Sequence, residues 1–567
     1  MALSRSCLPS VPPPPQQTGA FFLETKERPE TPSLFGREEI LERIEQRLEA
    51  LKKGYRQNLG LVGPCFIGKT SLARTILERH AHDPEILPLY VSLSESDFDG
   101  FVERWVGGIL QSMLTWKGDP VPEEFQLLVK TSRDYIPKTM ERMREAKKHA
   151  FQKKTALAFR ELLALTDTLR EETGKKILLV LDEFQALSSL ELTNPFALFG
   201  REMMIQKDTL YLVTSSAPHR AREIFSNQLS LLFGNFELIH VGLLSFEDVR
   251  SWIEEKFADL GIPEEDLRLL GHLLDNRPYY FEIVLEAVRL RSRGETTAWS
   301  RDRLIGILTE LLFSERGAFH RHYESELRLL FRLARYPHAY LRCLSAVASG
   351  RFKLAQITAY IGKKMAETKK LLQRLIMEGV LEKRGSFFWV QDPLFRFWLR
   401  SVSPLREREF SPWPGASRPL FESRLRGEIR KIEEEDRADL THRMESLFRE
   451  FRNDVVEVSQ RKIKCPAFFE ITSRPTNGRY FPLLSRTSQG RWFCQVYREP
   501  VTESDVTGFS EELSRFRSRM QRKIMVALGG IELNAKLLAQ ESKIEVWDLE
   551  NVNALLDLYG KQKLMAR

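Results

Sequence analysis

The sequence contains little cysteine. Its 567 residues include five cysteines, and none of them lies in a CxxC pair or beside a group of histidines. Zinc modules and disulfide frameworks both depend on such spacings, so neither kind of site is indicated. We therefore expect a protein of a reducing, cytoplasmic compartment.

Long apolar runs are also missing. No stretch approaches the roughly 18 consecutive apolar residues that a membrane-spanning helix requires, so no membrane association is predicted. The first 31 residues are polar and include four consecutive prolines at 12–15, which is unlike a signal peptide. Because polyproline forms neither helix nor sheet, we expect an extended tail.

A strong excess of one charge is absent as well. The chain has 86 Lys+Arg and 78 Asp+Glu, a formal net charge of +8. With 42% hydrophobic residues it can bury several cores, which excludes a disordered or collagen-like polymer. The length corresponds to about three to four domains. A mild basic excess favours nucleic acid only weakly, so the position of the charge matters more.

A phosphate-binding motif is present at residues 58–73, which read NLGLVGPCFIGKTSLA. Gly63 and Gly68 let the chain curl so that backbone N–H groups face an anion at a helix N-terminus. Lys69 would reach the β- and γ-phosphates, and Thr70 would place its hydroxyl on Mg²⁺. We therefore predict ATP and Mg²⁺ as cofactors. The predicted nucleotide site includes Gly63, Pro64, Cys65, Phe66, Ile67, Gly68, Lys69, Thr70 and Ser71.

A second motif would supply the carboxylates. Residues 175–185 read KKILLVLDEFQ, an apolar run typical of a buried parallel strand, and residues 86–93 have a similar pattern. Asp182 would hold the metal through water, while Glu183 would polarise the attacking water. We count Glu183 and Lys69 among the catalytic residues.

A further apolar run at residues 209–216 ends in two serines. If this strand lies beside that of Asp182, Ser215 or Ser216 would contact the γ-phosphate or the attacking water, and we select Ser215 as catalytic. The alternative is an ordinary polar loop start, which hydroxyl residues favour. The intervening insertion at 101–172 is helix-patterned and charged, and we expect a solvated face there.

These segments resemble the AAA+/STAND branch of P-loop ATPases, in particular the archaeal-type family related to origin-recognition ATPases. The resemblance covers about residues 32–400 and is carried by LFGREE at 34–39, the P-loop, ILLVLDEFQ, the TSS strand end and NRPYY at 276–280. It implies an α/β fold with a doubly wound parallel sheet and a helical lid. It also implies that Phe35, Gly36 and Arg37 lie against the base and that Pro278 approaches the adenine.

One departure from that family lies at residues 232–236, where related ATPases often carry an arginine finger. This chain has Asn235, which cannot neutralise transition-state charge. The resemblance therefore implies slow hydrolysis and a switch rather than a motor, because such an arginine is worth orders of magnitude in rate. Arg220, Arg222 or Arg277 could compensate, and a homo-oligomer stays possible.

A basic module follows the ATPase segments. Helix patterns at 352–361 and 366–378 precede a two-stranded pattern at 380–390, as in a winged helix-turn-helix, and DPLFRFW at 392–398 resembles the family's closing clamp. Residues 351–384 contain nine basic and three acidic residues. We predict weakly specific DNA binding through phosphate contacts, the alternative being a lid or an intramolecular docking piece. The candidate DNA-binding residues are Lys363, Lys364, Lys369, Lys370, Arg374, Lys383 and Arg384.

The C-terminal part has the pattern β, β, β, α, β, α, β after two helices and resembles a restriction-endonuclease-like α/β domain. Active members need two acids and a lysine around a metal. Gln495 and Tyr497 stand where Glu-x-Lys is expected, and Tyr480 falls near the other acid position. We therefore expect a degenerate, inactive nuclease fold, unless Glu470 or Glu499 substitutes.

Three functions remain open on this basis: an ATP-dependent switch on DNA, an ATP-gated nuclease effector in defence against foreign DNA, or a non-enzymatic ATP-binding scaffold that binds a protein partner. The predicted parts are a tail (1–31), an ATPase core (32–245), a helical lid (246–335), a winged helix (336–400), a linker (401–418) and a nuclease-like domain (419–567).

Overall fold

The structure is a computed structural model that describes residues 35–93, 97–229, 235–292, 299–332, 337–402, 417–458, 461–473, 479–516 and 520–565. The predicted tail and most of the predicted linker lie outside these ranges. Within them, no helix is both long and apolar enough to cross a membrane. The ranges belong to one compact unit.

A five-stranded parallel sheet forms the centre of the N-terminal part of the described chain, in the order β2-β3-β4-β1-β5. Its strands are β1 Asn58–Val62, β2 Ile86–Ser92, β3 Lys176–Asp182, β4 Thr209–Ser215 and β5 Phe236–His240. Strands β1 and β3 are apolar and buried on both faces, as expected in a parallel sheet. The parallel α/β fold predicted from the sequence is confirmed, and β4 lies between the P-loop strand and the Asp182 strand.

Helices cover both faces of this sheet. They are α1 Glu38–Lys52, α2 Lys69–Arg79, α3 Phe98–Lys117, α4 Phe125–Ser132, α5 Pro137–Phe151, α6 Thr155–Thr173, α7 Pro195–Ile205 and α8 Pro218–Glu223. The insertion expected to be a solvated face instead packs into one core with the sheet, because Trp105, Ile109 and Phe159 are fully buried in it. Its apolar residues recur at helical spacing and face the sheet, while its charges occupy the outer side.

A mainly helical region follows the sheet. It comprises α9 Phe246–Lys256, α10 Glu264–Leu274, α11 Pro278–Arg291, α12 Arg301–Phe313, α13 Ala318–Arg332, α14 Pro337–Ala348, α15 Leu354–Ile361, α16 Met365–Met377, the hairpin β6 Glu382–Arg384 and β7 Phe387–Trp389, and α17 Pro393–Ser401. One hydrophobic core runs from α9 through α17 and includes Phe421 and Leu425. Packing is therefore continuous across the predicted boundary between lid and winged helix.

The C-terminal part contains a second five-stranded sheet, ordered β10-β11-β12-β13-β14, with the first two pairings antiparallel and the last two parallel. Its elements are α18 Ser417–Arg437, α19 Leu440–Arg449, β8 Asp454–Val458, β9 Arg461–Cys465, β10 Glu470–Ser473, β11 Tyr480–Thr487, β12 Gly490–Tyr497, α20 Glu503–Ser514, β13 Met520–Ala527, α21 Leu533–Glu541, β14 Glu545–Asp548 and α22 Leu549–Leu558. The predicted element order is present. The β8–β9 hairpin and α22 were not predicted.

Candidate nucleotide-binding site

The P-loop connects the end of β1 to the start of α2, where the sequence places it. Gly68 caps α2 with φ 95°, a left-handed conformation that favours glycine. At Gly63 the reason for glycine is space, because a Cβ would clash with the carbonyl of Val241. The Gly63 N–H also donates to the Ser215 carbonyl at 3.2 Å. The loop is therefore fixed by both neighbouring strands of β1.

Lys69 lies within this loop. Its side chain is 5% exposed, and Nζ donates to the Pro64 carbonyl at 2.6 Å. Burial lowers the pKa of Lys69, although the carboxylates of Glu183 and Asp182 oppose this effect. Burial also raises the pKa of the nearby Cys65 thiol to about 12, so the thiol is neutral. A buried ammonium held only by a backbone carbonyl can exchange that partner for a phosphate oxygen.

The side-chain oxygens of Asp182 and Thr70 lie together at the carboxyl edge of the sheet. Thr70 Oγ1 lies 3.0 and 3.2 Å from the two carboxylate oxygens of Asp182. Tyr90 donates to the same carboxylate at 2.9 Å, and the Thr214 hydroxyl also donates to it. Among the described residues no group of three or more His, Cys, Asp and Glu is suited to a metal. This pair fits Mg²⁺, which typically takes one or two protein oxygens plus phosphate and water.

Glu183 is held by Ser216 rather than by Ser215. Glu183 has φ 60°, and its Oε2 accepts hydrogen bonds from Ser216 Oγ at 2.5 Å and from the Gln185 side chain. The Glu183 N–H donates to Thr214 Oγ1 at 3.0 Å. Ser215 is buried at the end of β4, and its hydroxyl accepts a long bond of 3.4 Å from the Ala217 N–H. The serine beside the Glu183 carboxylate is therefore Ser216.

Residues 35–38, which read FGRE, pack against the P-loop through Arg37. Arg37 is 7% exposed and donates to the carbonyls of Ile67 at 3.2 Å and Gly242 at 2.6 Å. Burial lowers the pKa of Arg37. A Cβ at Gly36, where φ is 63°, would clash with Asp248. These contacts give Arg37 a role in holding the loop, and its predicted contact with the base stays a prediction, as it does for the half-buried Phe35.

The lid reaches the P-loop through α11. Arg277 is 2% exposed and donates to the Cys65 carbonyl at 2.7 Å, and Pro278 is the first residue of the helix. Phe66 has φ 65°, and its ring stacks on Tyr279 with centroids 5.0 Å apart. Pro278 is therefore placed beside the loop. Its contact with adenine stays a prediction.

The stretch in which an arginine finger was expected is described only from Asn235, which is exposed and whose carbonyl accepts from the Asn58 N–H. Of the three arginines that could compensate, Arg277 contacts the loop, Arg220 bonds to Glu378, and Arg222 is exposed.

Helix α16 of the basic module has an exposed polar face. Leu372 and Leu375 face the core, whereas its lysines and arginine face outward. The exposed basic residues at or before this helix are Lys363, Lys364, Lys369, Lys370 and Arg374. Two of them form ion pairs, Lys363 with Glu367 at 3.4 Å and Arg374 with Glu378 at 2.7 Å.

The hairpin after α16 packs against the C-terminal part of the chain. Phe387 and Trp389 belong to the C-terminal core, and the Ser386 N–H donates to the Val455 carbonyl at 2.8 Å. Lys383 is exposed, whereas Arg384 pairs with Glu382 at 2.9 Å. One side of this predicted wing is therefore covered by β8, and α16 carries most of the exposed basic side chains.

The residues at the positions compared with a nuclease site in the sequence form a hydrogen-bond network. Gln495 is fully buried and donates to Glu512 at 2.6 Å, while it accepts from the Tyr497 hydroxyl at 2.6 Å. Tyr480 donates to the same Glu512 carboxylate at 3.1 Å. The two acids considered as substitutes have other partners: Glu499 pairs with Arg479, and Glu470 lies opposite Arg486. The carboxylate that lies beside Gln495 and Tyr480 is Glu512, which was not among the predicted acids.

No family model and no curated protein matches the chain. Three similar solved structures are a Walker-type ATPase of Pyrococcus abyssi, the ORC2 protein of Aeropyrum pernix in ADPNP and ADP complexes, and the Aeropyrum pernix ORC1 protein in complex with DNA. Their sequence identities are 19, 14 and 16%, and their TM-scores are 0.44, 0.43 and 0.36. The alignments cover 66, 70 and 66% of this chain and 98, 96 and 95% of those structures. Because these identities and TM-scores are low, the roles of the site residues rest on the distances and contacts within this chain alone.

Proposed function

We propose that the chain is an ATP-binding P-loop ATPase that hydrolyses ATP slowly and acts as a nucleotide switch on DNA. The observation that carries this proposal is the meeting of Lys69, Thr70 and Asp182 at the carboxyl edge of the parallel sheet, next to the Glu183–Ser216 pair. Ligands bind at this edge in open parallel sheets.

In this proposal each group has one task. The phosphates occupy the loop between Gly63 and Gly68, where backbone N–H groups and Lys69 offset their charge. Thr70 and Asp182 hold Mg²⁺, which when bound neutralises charge on the phosphate oxygens. Glu183 orients the attacking water and accepts its proton, and Ser216 keeps that carboxylate in position.

We expect slow ATP hydrolysis because the site lacks an arginine at the position where related ATPases often carry an arginine finger. An arginine finger contributes about 10³- to 10⁵-fold to hydrolysis, and the expected position holds the neutral Asn235. Arg277 is the candidate for charge supplied within the chain, because it already contacts the loop. A nucleotide bound for a long time suits a switch better than a motor.

The proposed DNA contact is the exposed face of α16. Lys369 and Lys370 lie there, and lysines bind phosphates as point charges with little base specificity. The salt dependence of affinity has a slope of about −0.9 per phosphate contact on duplex DNA. Replacing both lysines by glutamine should therefore flatten the slope by up to about 1.8.

Fluorescence anisotropy on a short duplex across a series of salt concentrations measures this slope. The matched control replaces Lys153 and Lys154, an adjacent exposed pair in the insertion, by glutamine. That variant should keep the wild-type slope. A slope unchanged in the α16 variant would return this helix to a purely structural role.

A nuclease function is not proposed for the C-terminal domain. Phosphodiester cleavage needs ligands that gather a metal and an activated water. The network there has one carboxylate, Glu512, which accepts hydrogen bonds from the Gln495 amide and the Tyr480 hydroxyl, while the Tyr497 hydroxyl donates to Gln495. We propose that this domain has a binding or assembly role instead.

A further inference from the structure

Two arginines from different parts of the molecule share one carboxylate. Glu378, directly after α16, pairs through Oε2 with Arg220 of α8 at 3.1 Å and through Oε1 with Arg374 of α16 at 2.7 Å. The side chains of Arg220 and Glu378 are 26% and 22% exposed, so their pair is screened less than a surface pair. One carboxylate thus joins the ATPase core to the basic helix.

Arg220 continues this connection toward the nucleotide site. Its second amino group donates to Ser188 Oγ, in the short helical turn that follows Glu183. Helix α8 itself starts two residues after Ser216, which is bonded to Glu183. The segments that leave both partners of the catalytic pair therefore meet again at Arg220.

The backbone after α16 also passes close to the end of β4. Gly379 has φ 76°, and a Cβ added there would lie 3.4 Å from Cα of Ala217, the residue between Ser216 and α8. The turn after α16 therefore lies beside Ala217, the residue that follows Ser216. A shift of Ser216 would act on this turn through this close approach and through the ion pair.

We propose that Glu378 is a positioning residue that, with Arg220, couples the nucleotide state to DNA affinity. This inference rests on the proposed function. A γ-phosphate and its attacking water compete for the atoms of Glu183 and Ser216, and the resulting shift of α8 changes the Arg220–Glu378 pair. A change in the Arg220–Glu378 pair alters the strength of the ion pair between Glu378 and Arg374. The availability of the Arg374 guanidinium for DNA phosphate therefore depends on the bound nucleotide.

The test measures DNA affinity in ADP and in a non-hydrolysable ATP analogue. Couplings of this kind typically amount to about 5- to 150-fold, so the wild-type affinities should differ by at least about 5-fold between the two nucleotides. Glu378→Gln and Arg220→Gln should each bring that ratio close to one, and combining them should have no further effect on it.

Glu367→Gln is the matched control. Glu367 lies on the same helix and pairs with Lys363 at 3.4 Å, and this substitution also removes one negative charge beside the basic face. Glu367→Gln and Glu378→Gln should both bind DNA more tightly than the wild type. Only Glu367→Gln should keep the wild-type ratio of DNA affinities between the two nucleotides. A ratio retained in Glu378→Gln, or lost equally in Glu367→Gln, would overturn the coupling.

A second readout separates this inference from the DNA proposal. Hydrogen exchange of α16 amides should differ between ADP and the analogue in the wild type and should lose that difference in Glu378→Gln. If this exchange pattern is found but the protein binds no DNA, the DNA proposal is rejected and the coupling between the nucleotide site and α16 is supported. Identical exchange of α16 in both nucleotides would reject the coupling whether or not DNA binds.

Discussion

The hydrogen bond from Ser216 to Glu183 is the contact on which turnover should depend most at the scale of single residues. Ser215 is the last residue of β4 and Ser216 follows it, yet Ser216 Oγ lies 2.5 Å from the Glu183 carboxylate, while Ser215 is buried. A hydrogen bond to a charged group contributes about 1.5–3 kcal/mol, and each 1.4 kcal/mol corresponds to about tenfold in rate.

We therefore expect Ser216→Ala to lower phosphate release by about 10- to 100-fold. Ser215→Ala should have the smaller effect, because it removes a 3.4 Å bond within its own turn. Single-turnover phosphate release compares the two at saturating ATP. The reverse order of effects would restore Ser215 as the catalytic serine.

Some residues of the site were predictable and others were not. Lys69, Thr70 and Asp182 each belong to a short segment whose order along the chain already relates them to a phosphate. Tyr90 and Thr214 also bond to Asp182, but they reach it through the pairing order of β2, β3 and β4. Sequence order along the chain does not determine which strands become neighbours.

At the scale of elements, a cluster of charges joins α1, α2 and β2. Asp83 accepts hydrogen bonds from the Glu85 N–H at 2.8 Å and interacts with Lys52 and His80 at 2.9 Å each. Burial opposes its ionisation, but these bonds lower the pKa of Asp83 to about 2. The ordinary aspartate pKa in an unfolded chain is about 3.9.

A depressed pKa fixes the sign of the pH effect. The stabilisation from Asp83 should be present above about pH 4 and lost as the pH falls toward 2. The difference in unfolding free energy between wild type and Asp83→Asn should therefore shrink over that range. Urea unfolding at several pH values measures it. A difference that stays constant would show that the ionised carboxylate is not the source of the stabilisation.

The elements differed in how well their sequences predicted them. Strands β1 to β4 and the 382–389 hairpin were predictable, because short apolar runs bounded by turn residues have a clear pattern, whereas β5, β8 and β9 were not predicted. The insertion was misjudged because its many charges hide a set of apolar residues, including Trp105 and Phe159, that only packing brings together.

At the scale of the whole molecule, Asp557 links the C-terminal domain to the hairpin and to α17. It is 6% exposed and accepts from the Trp389 indole at 2.8 Å and from Arg396 at 2.9 Å. Lys563 adds a contact at 2.5 Å to Asp275, next to Arg277 of the lid. The C-terminal domain is thus bonded to the region that contacts the P-loop.

Removing one partner of a buried ion pair costs about 3–5 kcal/mol, so Asp557→Ala should destabilise the chain by about that amount. Asp548→Ala is the matched control, because Asp548 is the N-cap of the same helix and such a loss costs about 1 kcal/mol. Chemical denaturation compares them. Equal losses of unfolding free energy in the two variants would show that the contacts of Asp557 stabilise the chain no more than the helix cap of Asp548 does.

The order of parts along the chain was predictable, but their contacts were not. Composition and motif spacing located the phosphate-binding motif, the basic helix α16 and the C-terminal α/β part. The docking of Ser386 on Val455 and the continuous core from α9 to α18 depend on residues far apart in sequence. No local pattern records such pairings.

The central claim is that Lys69 and its neighbours bind and slowly hydrolyse ATP. The most direct test is one reaction with ATP, Mg²⁺ and plasmid DNA in which phosphate release and nicking are followed together. The wild type should release phosphate slowly without nicking, Lys69→Ala should release none, and Lys130→Ala, at an exposed lysine of α4, should match the wild type. Phosphate release that persists in Lys69→Ala, or nicking that disappears in Glu512→Gln, would contradict this account.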